Sequence, residues 1–141
     1  MRPGVARRVD RILKAIERLD RVAEMGLEEL MERDLAPLLE REVEVVIQGL
    51  LDIGCYIVSV MGWEPPGSYS EVGAVLARHG VLSRGEGELL AQLARLRNVI
   101  VHVYADIDYE LLLEHARRLR SDARRLLSRL LGYMEEKGLD P

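Results

Sequence analysis

Aromatic side chains are scarce in this sequence of 141 residues, which has no Phe, one Trp and five Tyr. A core built from this chain must therefore be aliphatic, supplied by Leu, Val, Ile and Ala. Hydrophobic residues at 48% and charged residues at 31% exclude extensive disorder and fit a globular protein. The length suits one domain over residues 1–141, long enough to bury a core.

Cysteine and long apolar runs are also lacking. Cys55 is the only cysteine, which excludes an intrachain disulfide and a cysteine-based zinc site. A membrane helix needs about 18 or more apolar residues in succession. Residues 43–61 come nearest, but three polar residues interrupt them: Glu44, Gln48 and Asp52. The first residues do not resemble a signal peptide, so we expect a cytoplasmic protein with no membrane partner.

An overall positive charge, which would draw a protein to nucleic acid, is missing too, because the net charge is -4. Only two lysines occur, and arginines are concentrated in residues 1–20 and 117–129. Such a bias is typical of ion-paired surface networks. We therefore expect an ion-paired face rather than an RNA track from the series in the second segment: Arg117, Arg118, Arg120, Arg124, Arg125 and Arg129.

Apolar residues recur at three- and four-residue steps through most of the chain, which is the period of an amphipathic helix. The pattern predicts, in order, a helix over 4–24, a turn over 27–33, a helix over 34–61, a short helix ending at 79–80, a helix opening at 83–86, and a last helix over 108–136. The Pro- and Gly-rich segment 62–67 is the clearest loop. No strand-like alternation occurs in the sequence. The fold class predicted is all-α, an antiparallel bundle of four to five helices.

Several polar residues have the spacing of helix caps. Ser83 and Glu86 match a capping box, in which each side chain bonds the other residue's backbone N–H. Asp34 is predicted to be the N-cap of the long helix. Pro37 then falls in the first turn of that helix, where proline is tolerated. Two further helices each have two candidate caps: Ser68 or Ser70, and Asp106 or Asp108.

One polar run interrupts the apolar pattern, the octapeptide from Arg97 to Tyr104 near the end of a predicted helix. At about 100° per residue, Asn98 and His102 stack on one helix face. Arg97 and His102 lie about 140° apart. A site that uses both therefore needs a long reach by the guanidinium, a helix end, or a second copy of the chain across a two-fold axis.

This run carries the groups that RNA cleavage requires without a metal or cofactor. Arg97 can neutralise a phosphate with its fork of donors, and His102 can act as general acid or base near neutral pH. Asn98 can orient His102 or the scissile group. The nucleophile would be the RNA 2′-hydroxyl, so DNA would be spared. The plainer interpretation is that an arginine and a histidine at a helix end are structural.

Residues outside the octapeptide have simpler interpretations. His79, beside Gly80, suits a helix C-terminus, where a cation is favourable. Trp63 in the Pro-Gly loop is predicted to plug one end of the bundle. His115 has acidic residues near it, but their spacing fits no strong metal-ligand pattern, and we predict no metal site among them: Asp106, Asp108 and Glu114.

The octapeptide and its surroundings, from Leu93 through Asp108, resemble the HepT-like toxins of the HEPN superfamily. That family has an arginine, four to six residues and then a histidine, with a polar residue after the arginine and a tyrosine two after the histidine. Here these are Arg97, His102, Asn98 and Tyr104. The resemblance extends to other segments: 52–54, the Pro-Gly loop, 68–70 and 79–83. One position departs from the pattern, because the residue between His and Tyr is often acidic and here is Val103.

The resemblance implies a HEPN-like bundle that forms a homodimer or a larger hetero-complex, with two motifs facing one cleft. It implies a metal-independent endoribonuclease, the toxin of a type VII-like toxin–antitoxin pair, with RNA as substrate. The partner implied is a minimal nucleotidyltransferase antitoxin that silences the toxin by transferring AMP to Tyr104. Arg97 and His102 would be catalytic, and Asn98, Tyr104 and Asp52 supporting.

Two other functions fit the same residues. One is a non-catalytic helical binding module that serves as a scaffold for a nucleotidyltransferase. The other is a purely structural helical dimer. The scaffold would bind its partner without cleaving RNA. In the structural dimer Arg97 and His102 would pair across the interface, and Arg97→Ala would cost stability but no activity.

Overall fold

A computed structural model describes residues 3–102 and 107–139, and within them the fold is entirely helical. The elements are α1 (Pro3–Ala23), α2 (Leu27–Glu32), α3 (Ala36–Val60), a 3-10 turn (Tyr69–Glu71), α4 (Val72–Arg78), α5 (Arg84–His102) and α6 (Tyr109–Glu136). The predicted all-α fold is confirmed. The four long helices are the predicted ones, with α2 and α4 as short connections between them.

Contacts at the helix ends fix the directions of the long helices. The Arg18–Glu42 ion pair and the packing of Ile12 on Gly49 make α1 antiparallel to α3. Glu86 near the start of α5 pairs with Arg129 near the end of α6, so these two are also antiparallel. In contrast, α3 and α6 run parallel. A hydrogen bond joins their starts, from Tyr109 to Glu40, and a tilted aromatic contact joins Trp63, just after α3, to Tyr133 near the end of α6.

The central element is α3, which packs against α1, α4, α5 and α6. Its buried side chains lie on most of its faces, and the largest include Leu39, Ile47, Leu50, Leu51, Ile53 and Ile57. By length and composition alone α3 is apolar enough to cross a membrane, which is weak evidence by itself. Half of the relevant stretch is buried inside the protein. Its apolar character therefore follows from its position in the core.

Two predicted caps are confirmed. Ser83 N–H donates to Glu86 Oε1 at 2.8 Å and Glu86 N–H donates to Ser83 Oγ at 3.1 Å, a complete capping box. Asp108 Oδ1 accepts from Leu111 N–H at 3.1 Å at the start of α6. Ser68 precedes the 3-10 turn but makes no side-chain cap bond to it, and Asp106 lies outside the described residues.

The predicted cap at Asp34 is wrong. Leu35 is the N-cap residue of α3, and no side chain makes a capping hydrogen bond there. Asp34, one residue earlier, has a φ of 55°. Asp34 N–H bonds Met31 O and Leu35 N–H bonds Leu30 O, at 3.2 and 3.0 Å. These two bonds are the Schellman pattern that ends a helix. Asp34 therefore terminates α2 in the left-handed conformation, which aspartate tolerates better than most residues.

The arginines of α6 hold the bundle together, as predicted for an ion-paired face. Arg124 Nη2 lies 2.6 Å from Asp20 Oδ2, and the pKa of that carboxyl is lowered mainly by this bond. Arg120 pairs with Glu24 at 2.6 Å. Arg117 instead donates to two backbone oxygens, Ala23 O at the end of α1 at 2.9 Å and Met25 O just after it at 3.0 Å. These contacts tie α6 to the C-terminal end of α1.

Trp63 closes one end of the bundle, as predicted. Its ring stacks on His79 with centroids 4.0 Å apart and an interplanar angle of 4°. Tyr133 of α6 packs against the same indole at 6.0 Å. His79 is the C-cap of α4, and its Nε2 lies 3.2 Å from Glu64 Oε2. The loop therefore joins the ends of α3, α4 and α6.

Candidate functional site

The octapeptide begins on the last turns of α5, whose inner face anchors it. Leu90, Leu93 and Ala94 are buried, and Leu96 and Ile100 pack partly against the core. Because a helix turns about 100° per residue, burial of that stripe leaves Arg97 half-buried and Asn98 exposed at its border. The helix continues through His102. Packing of an aliphatic stripe therefore decides where the polar residues emerge.

Arg97 is held on two sides. Its Cζ lies over the Tyr69 ring, 5.6 Å from the centroid, and its Nη1 donates to Asn98 Oδ1 at 3.3 Å. Its Nε is buried and has no hydrogen-bond partner among the described residues. A buried donor left without an acceptor costs about 1–3 kcal/mol. Buried polar groups without a partner are few in native proteins, and catalytic positions are one of the places where they occur.

The remaining motif residues are described only in part. His102 is the last residue of α5, so its backbone lies about 7.5 Å along the helix axis from Arg97 and one turn beyond Asn98. The side chain of His102 and the whole of Tyr104 lie outside the described part of the chain. The predicted roles of both residues stay predictions.

Asp52 lies in a different environment from Arg97. Its Oδ1 accepts from Gln48 Nε2 at 2.8 Å. Both residues line a cleft of about 370 Å³ between α1 and α3, where Arg8 and Arg11 are the basic residues. The lining of this cleft comes entirely from α1 and α3. Asp52 therefore faces the arginines of α1, and a supporting role beside Arg97 stays a prediction.

Two tyrosines near the motif were not singled out as site residues from the sequence. Tyr69 is 41% exposed and faces Arg97. The sequence signal that could have identified it is the Ser-Tyr-Ser run directly after the Pro-Gly loop. Tyr109 donates to Glu40 Oε2 at 2.8 Å. That hydrogen bond, more than burial, raises the pKa of Tyr109 above its ordinary value. Tyr109 therefore remains a protonated donor that fixes the start of α6 against α3.

An apolar groove of about 190 Å³ lies between the end of α5 and the start of α6. It is lined by Leu96, Val99, Ile100, Ile107, Asp108, Leu111, Leu112 and His115. Val99 is 53% exposed and Leu111 48% exposed. Exposed aliphatic residues that cluster beside a polar motif are typical of an interaction surface.

The side chain of His115 bonds to a neighbour on its own helix, α6. Its Nδ1 accepts a hydrogen bond from Arg118 at 3.1 Å. Burial, followed by the nearby Arg118 charge, lowers the pKa of His115. Within residues 3–102 and 107–139, no group of three or more His, Cys, Asp or Glu side chains is arranged to hold a metal ion.

The fold is similar to those of several solved structures. One is the tri-AMPylated HEPN toxin of Shewanella oneidensis in complex with an MNT antitoxin, at 17% identity and a TM-score of 0.83, covering 94% of this chain and 99% of that one. Another is a toxin–antitoxin with AMP-PNP, at 16% identity and a TM-score of 0.79, covering 92% and 99%. A third is YutE from Bacillus subtilis, described as a cytosolic protein of unknown function, at 21% identity and a TM-score of 0.71, covering 91% of each chain.

Identities this low establish a shared fold and no shared activity. No curated protein matches the sequence. A family model described as "Ribonuclease HepT-like" matches residues 12–130, a span that includes both Arg97 and His102. The chain belongs to the HepT-like ribonuclease family.

Proposed function

We propose that this protein is a metal-independent endoribonuclease that acts as the toxin of a toxin–antitoxin pair. The observation that carries the proposal is the state of Arg97, which contacts Tyr69 and Asn98 and precedes His102 on one continuous helix. Its buried Nε has no hydrogen-bond partner within the described part of the chain. Membership in a ribonuclease family supports the choice of substrate. We place the pair in the cytoplasm, since a similar structure is of a protein described as cytosolic.

The proposed chemistry uses the RNA itself as nucleophile. A base removes the proton from the 2′-hydroxyl, the 2′-oxygen attacks the adjacent phosphorus, and the bond to the 5′-oxygen breaks as an acid protonates that oxygen. Arg97 neutralises the charge that builds on the phosphate oxygens. His102 is the acid or base, and Asn98 orients it from one turn earlier. The products are a 2′,3′-cyclic phosphate and a 5′-hydroxyl.

The proposed reaction needs both an acid and a base, but the motif has only one histidine. This favours a site shared by two copies of the chain. The apolar groove between α5 and α6 adjoins the motif and supports this arrangement, with a second copy as its occupant. Val99→Asp should place a charge in that contact and convert a dimer to a monomer, as measured by light scattering on a sizing column. Lys137→Asp, at the opposite end of α6, is the control. A monomeric parent protein would contradict the dimer.

We further propose that a nucleotidyltransferase partner silences the toxin by modifying Tyr104. The Tyr104 oxygen would attack the α-phosphate of ATP, releasing pyrophosphate and leaving an AMP phosphodiester on the ring. The similarity to an AMPylated toxin bound to its antitoxin supports this step. Tyr104 follows Arg97 by seven residues in the sequence. We expect the new negative charge on it to pair with the Arg97 guanidinium and to exclude RNA.

The decisive experiment measures cleavage of RNA by the unmodified protein in EDTA. His102→Ala should lower the rate by about 10²- to 10⁴-fold, the usual contribution of acid–base catalysis. His79→Ala is the histidine control, because His79 stacks on Trp63 at the other end of the bundle. RNA with a 2′-deoxy residue at the cut position should stay intact. Equal rates for His102→Ala and the parent would refute the mechanism.

The regulatory step has its own measurement, the intact mass of the protein after co-expression with the proposed nucleotidyltransferase partner. We expect a gain of one or more AMP units that Tyr104→Phe abolishes, with Tyr109→Phe as control because the Tyr109 hydroxyl already donates to Glu40. A gain unaffected by Tyr104→Phe would place the modification elsewhere. Partner binding without RNA cleavage by the unmodified protein would favour the non-catalytic scaffold.

A further inference from the structure

Tyr69 occupies a short turn that its own hydrogen bonds hold rigid. Gly67 N–H donates to Glu71 Oε2 at 2.7 Å, and Glu71 N–H donates to Ser68 O at 3.1 Å. The first bond crosses the turn from the loop before it, so both ends are fixed. Tyr69 is nonetheless 41% exposed. A large aromatic residue is thus presented to solvent from an ordered element, at the border of α5.

The ring of Tyr69 is directed at Arg97, whose buried Nε has no hydrogen-bond partner among the residues that the structure describes. Arg97 Cζ lies 5.6 Å from the ring centroid, within the range of a cation–π contact. The guanidinium covers one face of the ring, and the exposed fraction of Tyr69 remains accessible beside it. An exposed aromatic ring therefore lies in contact with the cation that we propose binds the phosphate.

We infer that Tyr69 stacks the base of a nucleotide at the cleavage site while it holds the Arg97 guanidinium toward the adjacent phosphate. The inference rests on the proposed ribonuclease function and adds a residue to it. Single-stranded RNA is recognised largely by stacking of unpaired bases on aromatic side chains. Tyr69 is a positioning residue for Arg97 and a contact for the substrate.

A purely structural role for Tyr69 makes a different prediction. If the ring only shielded Arg97 from water, its removal would change stability and leave RNA affinity unchanged. If it stacks a base, loss of the ring weakens binding by about 5- to 150-fold, the range measured for stacking on one aromatic residue. Tyr69→Phe keeps the ring and removes the hydroxyl, and Tyr69→Leu keeps apolar volume without an aromatic face. This pair of variants separates the two roles.

The test is fluorescence anisotropy with a short single-stranded 2′-O-methyl RNA, which cannot be cleaved. We expect Tyr69→Leu to bind about tenfold or more weakly, Tyr69→Phe to bind within about twofold of the parent, and all three proteins to unfold at the same temperature. An abasic site walked along the oligonucleotide should weaken binding to the parent at one position. At that position it should cost Tyr69→Leu nothing further, because the stacking contact is already lost.

Parental affinity in Tyr69→Leu would overturn the inference, and so would a loss in Tyr69→Phe as large as that in Tyr69→Leu. No binding of the oligonucleotide by the parent would overturn it as well. Cleavage assays separate this inference from the proposed function. If the parent binds RNA in the expected pattern but leaves it uncut, the stacking role stands and the ribonuclease proposal fails. If the parent cuts RNA and Tyr69→Leu cuts it with unchanged KM and kcat, the stacking role fails alone.

Discussion

The substitution Gly73→Ala tests the packing that places Tyr69 beside Arg97. A Cβ at Gly73 would lie 2.1 Å from the backbone oxygen of Gly87, which belongs to the facing helix α5. A carbon and a carbonyl oxygen normally approach no closer than about 3.3 Å, so α4 and α5 would have to separate by about 1.2 Å. No flexible side chain is available to absorb this shift, because the obstacle is backbone.

The magnitude follows from two opposing terms. Overpacking of this kind costs about 1–3 kcal/mol, and the obstacle here calls for the upper end of that range. Alanine in a helix gains about 0.5–1 kcal/mol over glycine. The net loss expected for Gly73→Ala is therefore about 2 kcal/mol in the free energy of unfolding, measured by urea titration.

Gly132→Ala in α6 is the matched control, since a Cβ there meets nothing within 4 Å. It should raise the free energy of unfolding by about 0.5–1 kcal/mol. The same chemical change thus has opposite signs at the two positions. Gly73→Ala should also weaken RNA binding, because α4 directly follows the 3-10 turn that carries Tyr69. A Gly73→Ala protein as stable as Gly132→Ala would refute the close approach of α4 and α5.

Two further predictions concern side chains that join helices. The pKa of Glu86 is lowered mainly by the hydrogen bond from Ser83 N–H, so its carboxylate contributes stability that is fully present above the ordinary pKa of 4.5 and is lost as the pH falls through the lowered pKa. The stability difference between the parent and Glu86→Gln should therefore shrink below about pH 4.5 in urea titrations, and a pH-independent difference would contradict this. Arg117→Ala removes two bonds to backbone oxygens and should cost about 1–2 kcal/mol, whereas Arg118→Ala, which loses a bond to a histidine, should stay within about 0.5 kcal/mol. Neither arginine variant should change the salt dependence of RNA binding. A weaker dependence of RNA affinity on salt in either variant would indicate that this face of α6 does contact RNA.

Helix caps that depend on a single local signal in the sequence were predicted correctly. A cap was predicted wrongly where one residue suited two different positions. The capping box at Ser83 and the cap at Asp108 are confirmed because each depends only on residues within one turn. Asp34 was misassigned because aspartate suits both a helix start and a left-handed helix end, and the short helix before it takes the second use. The ion-paired face of α6 was predictable in kind, but its partners on α1 are far away in sequence: 96 residues for Glu24 and Arg120, and 104 for Asp20 and Arg124.

The sequence by itself determined the helical class, the boundaries of the long helices and the motif with its chemistry, because these depend on periodicity and on the types of neighbouring residues. Only the tertiary structure decided which side chains share a surface. It placed Tyr69 against Arg97 through the close approach of Gly73 and Gly87, and it placed Asp52 in a cleft with α1. Contacts of that kind depend on how helices cross, which is set by packing across the whole core rather than by any single segment.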